Sequence, residues 1–190
     1  MSGAVRKPMT MDTFLACEER QELRWEFDGF APVAMTGGSN EHEAIGTRLR
    51  TLLDLALMDK RCRVRGPTMK IEVAGRIRYP DAFVFCSATT RGQTVIADPV
   101  VVFEVLSLST SHIDRLDKLR EYQATPSIRR YVILEQDSVA ATIYLKQGEA
   151  WIVSVLISEA MLTMPEIEAE IRLADIYAGI ELPRPETAEG

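Results

Sequence analysis

The chain contains few cysteines, and their arrangement excludes two kinds of small scaffold. Only three are present among 190 residues, Cys17, Cys62 and Cys86, and none of them forms a C-x-x-C pair. An odd number of separated cysteines suggests neither a disulfide framework nor a thiolate zinc site. We therefore predict three unpaired cysteines and a reducing, cytoplasmic location.

Long hydrophobic segments are also missing, which excludes a membrane-spanning helix. The longest apolar stretch, VVVFEVL at positions 100–106, contains a glutamate and is far shorter than the roughly 20 residues that a bilayer requires. Arg6 and Lys7 resemble the basic start of a signal peptide, but Pro8 and Asp12 follow where its apolar segment would begin. We expect no export and no membrane partner.

The overall composition is that of one soluble globular domain. Apolar residues make up 46% of the chain and charged residues 26%. A chain of this length buries roughly 70% of its unfolded surface, so it can fold without disulfides or a structural metal. We predict a single domain over residues 1–190, with a short acidic segment from about 158 to the C-terminus.

Charge is unevenly distributed along the chain. The net charge of −6 disfavours a protein that coats nucleic acid. Between Arg48 and Arg78, however, nine basic residues stand against three acidic ones. Two interpretations of this stretch remain open, namely a solvated helix end and hairpin, or a strip that faces phosphates.

Hydrophobic spacing predicts the element order of an α/β (α+β) fold. Helices are predicted at 11–20, 40–58 and 113–124, the first capped by Thr10 and the second by an Asn40–Glu43 capping box. A hairpin is predicted around 26–31, a polar linker at 107–111 and a frayed C-terminal end. Strands are predicted at 63–66, 69–73, 77–86, 100–106, 130–135, 139–145 and 151–157. Because 100–106 lacks polar alternation, we expect it to be central in a mixed sheet flanked by helices.

Three ionisable side chains occur where ordinary surface charges are not expected. Asp81 follows Pro80 in a predicted strand, and Glu104 lies inside the central apolar strand. Burying a carboxylate without a partner is costly, so Glu104 needs a cation or several hydrogen bonds. Lys118, on the helix after this strand, is the nearest candidate along the chain. Two carboxylates on neighbouring strands with a lysine nearby form a set that can hold Mg²⁺ and hydrolyse a phosphodiester.

Each of these residues also has a purely structural interpretation. Asp81 after a proline is explained as a cap or terminator of a strand. Glu104 is explained by an ion pair with an arginine inside the sheet. Asp114 precedes Lys118 by four residues, so an exposed pair on one helix explains the lysine without catalysis. Spacing alone does not separate these interpretations from a catalytic site.

The motifs taken together resemble a known bacterial family. WEFDG, YPDAFVFC, VVFEVLSLST, DRLDKLREY and RRYVILEQDSVAATIY follow one another as they do in a family of restriction-endonuclease-like proteins with the PD-(D/E)XK nuclease fold, which is common in cyanobacteria. The likeness covers residues 9–157. It implies that Asp81 and Glu104 are the metal-binding carboxylates. It also implies that Lys118 replaces the missing lysine of the E-x-K pattern, and that Glu26 is a further member of the site.

The same resemblance relates His42 to a recurring histidine on the first long helix. A lone histidine there is more often a helix-packing or phosphate-contacting group than a general base.

The resulting prediction is a Mg²⁺-dependent DNA endonuclease, with Mn²⁺ as an alternative ion and no haem or nucleotide cofactor. Asp81 and Glu104 would hold the ion, Lys118 would act on the water or the transition state, and Glu26 would assist. An acidic protein binds DNA weakly unless two subunits join their basic residues, so we predict a homodimer. The predicted DNA-contacting residues are Arg48, Arg63, Arg65, Lys70, Arg76 and Arg78.

Two other functions remain open. The acidic balance and the absence of an evident target-reading segment favour a binding or regulatory module that keeps the nuclease fold without hydrolysis. The other is an oligomeric structural protein in which the apolar strands at 139–157 form an interface and the polar residues make only ion pairs.

Overall fold

The computed structural model describes residues 7–35, 37–106 and 112–183, with the backbone alone for 112–114. The helices are α1 (Met11–Glu18), α2 (Asn40–Leu57), α3 (His112–Ala124) and α4 (Leu173–Ile176). The strands are β1 (Trp25–Phe27), β2 (Pro32–Ala34), β3 (Arg63–Arg65), β4 (Lys70–Val73), β5 (Arg76–Arg78), β6 (Ala82–Phe85), β7 (Val95–Ile96), β8 (Pro99–Val105), β9 (Arg130–Leu134), β10 (Ala140–Gln147), β11 (Ala150–Ile157), β12 (Met161–Met164) and β13 (Ala169–Arg172).

The two N-terminal helices begin at side chains that cap their first turns. The hydroxyl of Thr10 accepts a hydrogen bond from the backbone N–H of Thr13 (3.2 Å), as predicted. The cap of α2 is Ser39, whose hydroxyl accepts from the N–H of His42 (3.2 Å), so the predicted cap at Asn40 is wrong by one residue. This cap fixes His42 in the first turn of α2.

The central sheet contains six strands in the order β11–β10–β9–β8–β6–β3. β8 lies between β6, to which it is antiparallel, and β9, to which it is parallel. The prediction that 100–106 forms a central strand of a mixed sheet is therefore confirmed. A second sheet has the order β2–β1–β5–β4–β7, and β12 pairs with β13 in a separate hairpin.

The hydrophobic core lies on both faces of the central sheet. On one face, α2 packs its buried leucines against Val101 and Phe103 of β8. On the other face, Tyr122 of α3 packs against Val102. Successive residues of a strand point to opposite faces, so Glu104 lies on the same face as Val102, toward α3. The alternation within β8 thus places a carboxylate against the helix that follows the strand.

The predicted strand at 77–86 is in fact two strands that belong to different sheets. β5 ends at Arg78 in the second sheet, and β6 begins at Ala82 in the central sheet. Pro80 lies at the break, where a residue without an N–H cannot continue a ladder of hydrogen bonds. Asp81 therefore lies at the entrance to β6 and not in the middle of a strand.

The prediction of three unpaired cysteines is wrong for two of them. Cys62 and Cys86 form a disulfide with their Cα atoms 4.0 Å apart, and Cys17 is free and exposed. Arg63 lies opposite Phe85 in the pairing of β3 with β6, so the two cysteines are neighbours across the strands. Only the strand register brings them together, because 24 positions separate them in the sequence. The pairing also removes the argument from free thiols for a cytoplasmic location.

The acidic C-terminal segment packs against the α2 side of the core. Leu162 of β12, Ile171 of β13 and Ile176 of α4 are buried there, although no elements were predicted in this segment. Within the described ranges, no helix combines the length and apolar character that a membrane span requires. The predicted linker at 107–111 lies outside the described residues, as do 184–190 of the predicted frayed end.

Candidate active site

Asp81 and Glu104 lie side by side at one end of two central strands. Ala82 is paired with Phe103, so the residue before β6 meets the residue after Phe103. The backbone N–H of Val105 donates a 2.7 Å hydrogen bond to Oδ2 of Asp81. The carboxylate of Asp81 thus satisfies an amide at the end of β8, as the capping interpretation requires, and the same bond holds it next to Glu104.

His42 approaches Asp81 from the opposite side of the sheet. Its Nε2 lies 3.3 Å from Oδ2 of Asp81, and both side chains are largely buried. The hydrogen bond with Asp81 is the largest influence and raises the pKa of His42, an effect that burial opposes and that the negative charges of Asp81, Glu104 and Glu43 assist. His42 therefore carries more positive charge near neutral pH than an exposed histidine.

Glu104 is a nearly buried carboxylate with two polar partners on α3. The hydroxyl of Tyr122 donates a 2.7 Å hydrogen bond to Oε1 of Glu104, and Nζ of Lys118 lies 3.3 Å from the same oxygen. Burial raises the pKa of Glu104 to about 7, against the charge of Lys118 and the hydrogen bond from Tyr122, while Asp81 and Glu26 add to the increase. Burial therefore favours the protonated form of Glu104 up to about neutral pH.

Lys118 reaches this site because α3 folds back along the end of β8. Its ammonium group is 3.9 Å from Oε1 of Glu26 in addition to its contact with Glu104. The side chain is only 16% exposed, which separates it from an ordinary surface lysine. The alternative partner Asp114 has a side chain outside the described residues. Lys118 therefore lies close to two of the predicted site acids, Glu104 and Glu26.

Glu26 belongs to a buried ionic network behind the lysine. Nη1 of Arg78 donates to Oε2 of Glu26 at 2.8 Å, and the backbone N–H of Tyr79 donates to Oε1 at 3.3 Å. The same guanidinium makes two further bonds, of 2.7 and 2.6 Å, to the carboxylate of Glu121 on α3. Arg78 therefore connects β1 to α3, the helix that carries Lys118.

The six residues predicted to contact DNA do not form one strip. Arg63 and Arg65 are exposed on β3, at an edge of the central sheet. Lys70 is buried and pairs with Glu18 at 2.6 Å, and Arg78 is buried in the network described above.

The side chains of Arg48 and Arg76 donate to backbone carbonyls far away in the sequence, whereas those of Arg63 and Arg65 donate to the carbonyls of neighbouring residues. Nε of Arg48 donates to the carbonyl of Asp175 at 3.0 Å, and Nε of Arg76 donates to the carbonyl of Asp28 at 2.9 Å. Ion pairing accounts for the burial of Lys70 and Arg78 without any phosphate ligand.

Two residues of the site were not singled out for chemistry from the sequence. Arg115 lines a cavity of about 30 Å³ together with Glu104, Lys118 and Tyr131. Tyr122, already described, completes the set. Arg115 and Tyr122 stand three residues before and four after Lys118, so helical spacing could have placed all three on one side of α3. The cavity has room for a water or an ion but not for a nucleotide.

The donor set fits a hard divalent ion that is held by few protein ligands. Within the described part of the chain, no group of three or more histidine, cysteine, aspartate or glutamate side chains is arranged to bind a metal. Asp81 and Glu104 remain as a pair of carboxylates, and Mg²⁺ is commonly bound through one or two carboxylates together with waters and substrate phosphates. A cation bound beside Glu104 would favour the ionised form of the carboxylate, which burial disfavours.

The sheet order, with acids at the end of two central strands and a helix across them, is that of the restriction-endonuclease-like fold. The chain belongs to the Uma2 family, described as "Putative restriction endonuclease", whose sequence model matches residues 11–174. The resemblance seen in the sequence motifs is thereby confirmed.

Similar proteins match along most of the chain. The "Uncharacterized protein slr1290" of Synechocystis sp. is 31% identical over 176 residues, covering 90% of this chain and 93% of that protein. The "Uncharacterized protein sll1609" of the same organism is 26% identical over 165 residues, covering 84% and 93%. A crystal structure of "a putative nuclease belonging to DUF820" from Anabaena variabilis superposes with a TM-score of 0.74 at 16% identity, covering 90% of this chain and 98% of that one. This last likeness establishes the fold.

Proposed function

We propose that this protein is a divalent-metal-dependent nuclease that hydrolyses phosphodiester bonds of DNA. The observation that carries the proposal is the position of Asp81 beside Glu104 at the end of the paired strands β6 and β8, with Nζ of Lys118 3.3 Å from Glu104. Membership of the family described as "Putative restriction endonuclease" supports the same reaction class.

Asp81 and Glu104 are the residues that would hold Mg²⁺ or Mn²⁺. When bound, such an ion acidifies a water ligand and neutralises charge on a phosphate. Val105 and His42 fix the orientation of the Asp81 carboxylate through its Oδ2 atom. Tyr122 does the same for Glu104 through Oε1. Preorganised ligands of this kind avoid a reorganisation cost when substrate binds.

Lys118 supplies the positive charge of the reaction. Its ammonium group is desolvated and lies beside Glu104, where it can stabilise negative charge on the phosphoryl oxygens in the transition state. Oε1 of Glu26 lies 3.9 Å from Nζ of Lys118, so we assign Glu26 the role of positioning the lysine. Arg115, which lines the same cavity, is placed to contact a phosphate oxygen.

DNA contact is assigned to the exposed basic residues alone. Arg63 and Arg65, on an open edge of the sheet, and Arg48, on α2, are exposed and remain in the proposed interface. Lys70 and Arg78 are omitted because each is buried in an ion pair. With so few contacts in an acidic protein, affinity should fall steeply with salt, and a homodimer would double the number of contacts.

The proposal is tested by plasmid and oligonucleotide cleavage with Mg²⁺, Mn²⁺ or EDTA. Asp81→Asn, Glu104→Gln and Lys118→Met should each reduce metal-dependent cleavage by about 100-fold or more. Asp54→Asn, at an exposed position of α2, is the matched control and should cleave as the wild type does. Unchanged cleavage by both carboxylate variants would overturn the assignment of Asp81 and Glu104 to the active site. Cleavage of RNA alone would overturn the assignment of DNA as the substrate.

A binding module without hydrolysis is the second candidate. It is favoured by the division of the predicted basic strip and by the absence of a third metal ligand among the described residues. Calorimetric titration with Mn²⁺ near pH 8 distinguishes the two. Binding that is lost in Asp81→Asn supports the nuclease, whereas absence of binding by the wild type supports the module.

A further inference from the structure

The outer edge of the central sheet at β11 is long, apolar and exposed. β11 is the terminal strand of the six and pairs with β10 along its full length. Ile152, Val153, Val155 and Ile157 are between 47% and 63% exposed. From Ala150 to Ile157 the sequence AWIVSVLI contains no charged residue and no proline.

The backbone of the same strand also presents hydrogen-bonding groups outward. Gln147 pairs with Ala150 across the two-residue turn, and the N–H of Ser158 donates to the carbonyl of Val139 at 2.9 Å. In an antiparallel ladder the residues that bond to the neighbouring strand alternate with residues that face away from it. Trp151, Val153, Val155 and Ile157 therefore direct their amides and carbonyls outward. No strand in the described part of the chain pairs with this side.

The opposite edge of the sheet is built differently. β3 has only three residues, and two of them are the exposed Arg63 and Arg65. Short strands and charged side chains are the usual protection of a sheet edge against pairing with another chain. β11 has neither form of protection within its length, so its exposed edge is suited to an added strand.

We propose that β11 pairs antiparallel with β11 of a second copy of the chain, about a twofold axis at Ser154. In this register Val153 lies opposite Val155 of the second copy, and Trp151 lies opposite Ile157. Every pair inside the strand is then uncharged, and the outward backbone groups of the odd-numbered residues meet one another. The proposal does not depend on nuclease activity.

The second copy is preferred over another partner because the strand complements itself. AWIVSVLI has residues of similar character at equal distances on either side of Ser154. A twofold contact uses the same surface of both molecules and closes after two copies. Head-to-tail pairing of β11 with β3 would extend over only three residues and would place Arg63 and Arg65 in the contact.

The contact is tested by sedimentation of the full chain over a wide concentration range. Val155→Lys places a charge opposite Val153 of the second copy and should weaken dimerisation at least about tenfold. Leu55→Lys, at a site of α2 that is 59% exposed, is the control and should leave it unchanged. Circular dichroism should show that both variants are folded. A monomeric wild type, or a dimer that Val155→Lys does not weaken, would overturn the proposal.

The register has its own test at the ends of the strand. With the axis at Ser154, Glu149 just before β11 comes near Glu159 just after β11 of the second copy; both are exposed, and Glu159 also pairs with Arg172 at 3.2 Å within its own chain. Glu149→Lys replaces this repulsion with two symmetric ion pairs and should tighten the dimer. Glu149→Lys combined with Glu159→Lys restores like charges and should cancel the gain. If Glu149→Lys does not tighten the dimer, the proposed register is wrong.

Discussion

The hydroxyl of Tyr122 donates a 2.7 Å hydrogen bond to the same oxygen of Glu104 that faces the ammonium group of Lys118. Tyr122 and Lys118 stand four residues apart on α3, so one helix turn supplies both groups. The position of α3 against β8 therefore controls the orientation and the charge of a proposed metal ligand.

Tyr122→Phe tests this relationship by removing the hydroxyl while keeping the packed ring. The hydrogen bond lowers the pKa of Glu104, so its loss should raise that pKa further. Cleavage should fall about tenfold, the equivalent of about 1.4 kcal/mol. Tyr177→Phe is the control, because its hydroxyl bonds the carbonyls of Glu135 and Ala140. An equal loss of cleavage in both variants would show a general effect of destabilisation.

Glu104→Gln should stabilise the metal-free protein at alkaline pH. Burial raises the pKa of Glu104 from 4.5 to about 7, so the folded state favours the protonated form. The protonated Glu104 side chain stabilises the folded state fully below pH 4.5, and this stabilisation is lost as the pH rises through about 7. The stability of the variant should exceed that of the wild type by up to about 3 kcal/mol at pH 8 and by little at pH 4. Urea denaturation at both pH values measures this, and a variant less stable at pH 8 would contradict it.

His42 should titrate above the ordinary value of 6.5. The interaction between protonated His42 and Asp81 is fully present below that value and is lost as pH rises through the raised pKa of the folded state. A proton NMR titration of the imidazole signals should show this, with His42→Gln identifying the resonance. Asp81→Asn should bring the pKa down, because the largest cause of the increase is the bond to Asp81. A titration that is the same in both proteins would contradict the contact.

Removal of Glu121 should destabilise the protein far more than removal of an exposed charge on the same helix. Glu121 is 4% exposed and makes two bonds to Arg78, which would be left with half of its ionic partners. Glu121→Ala should cost about 3 kcal/mol of unfolding free energy. Arg120→Ala breaks an exposed pair with Asp117 and should cost less than about 0.5 kcal/mol. Similar losses in the two variants would contradict a structural role for the network.

The main elements of the central sheet could be predicted because they follow from local patterns. The helical spacing of 40–58 and 113–124, the apolar run at 100–106 and the alternation at 139–157 each depend on neighbouring residues. The break at Pro80 could not be located in the same way, because Ile77 and Phe83 are both apolar and only their assignment to different sheets separates them. The disulfide was missed for a related reason, since Cys62 and Cys86 meet only through strand register.

The chain's own pattern determined which residues are out of place in a hydrophobic interior, and so it singled out Asp81, Glu104 and Lys118. It could not decide which basic residues are buried, because Lys70 and Arg63 look alike until one is enclosed with Glu18 and the other is exposed on an edge strand. The sequence gives the charge of each side chain, but the two members of an ion pair such as Lys70 and Glu18 are separated by tens of residues. Packing alone chooses those partners, because burial makes an unpaired charge too costly to keep.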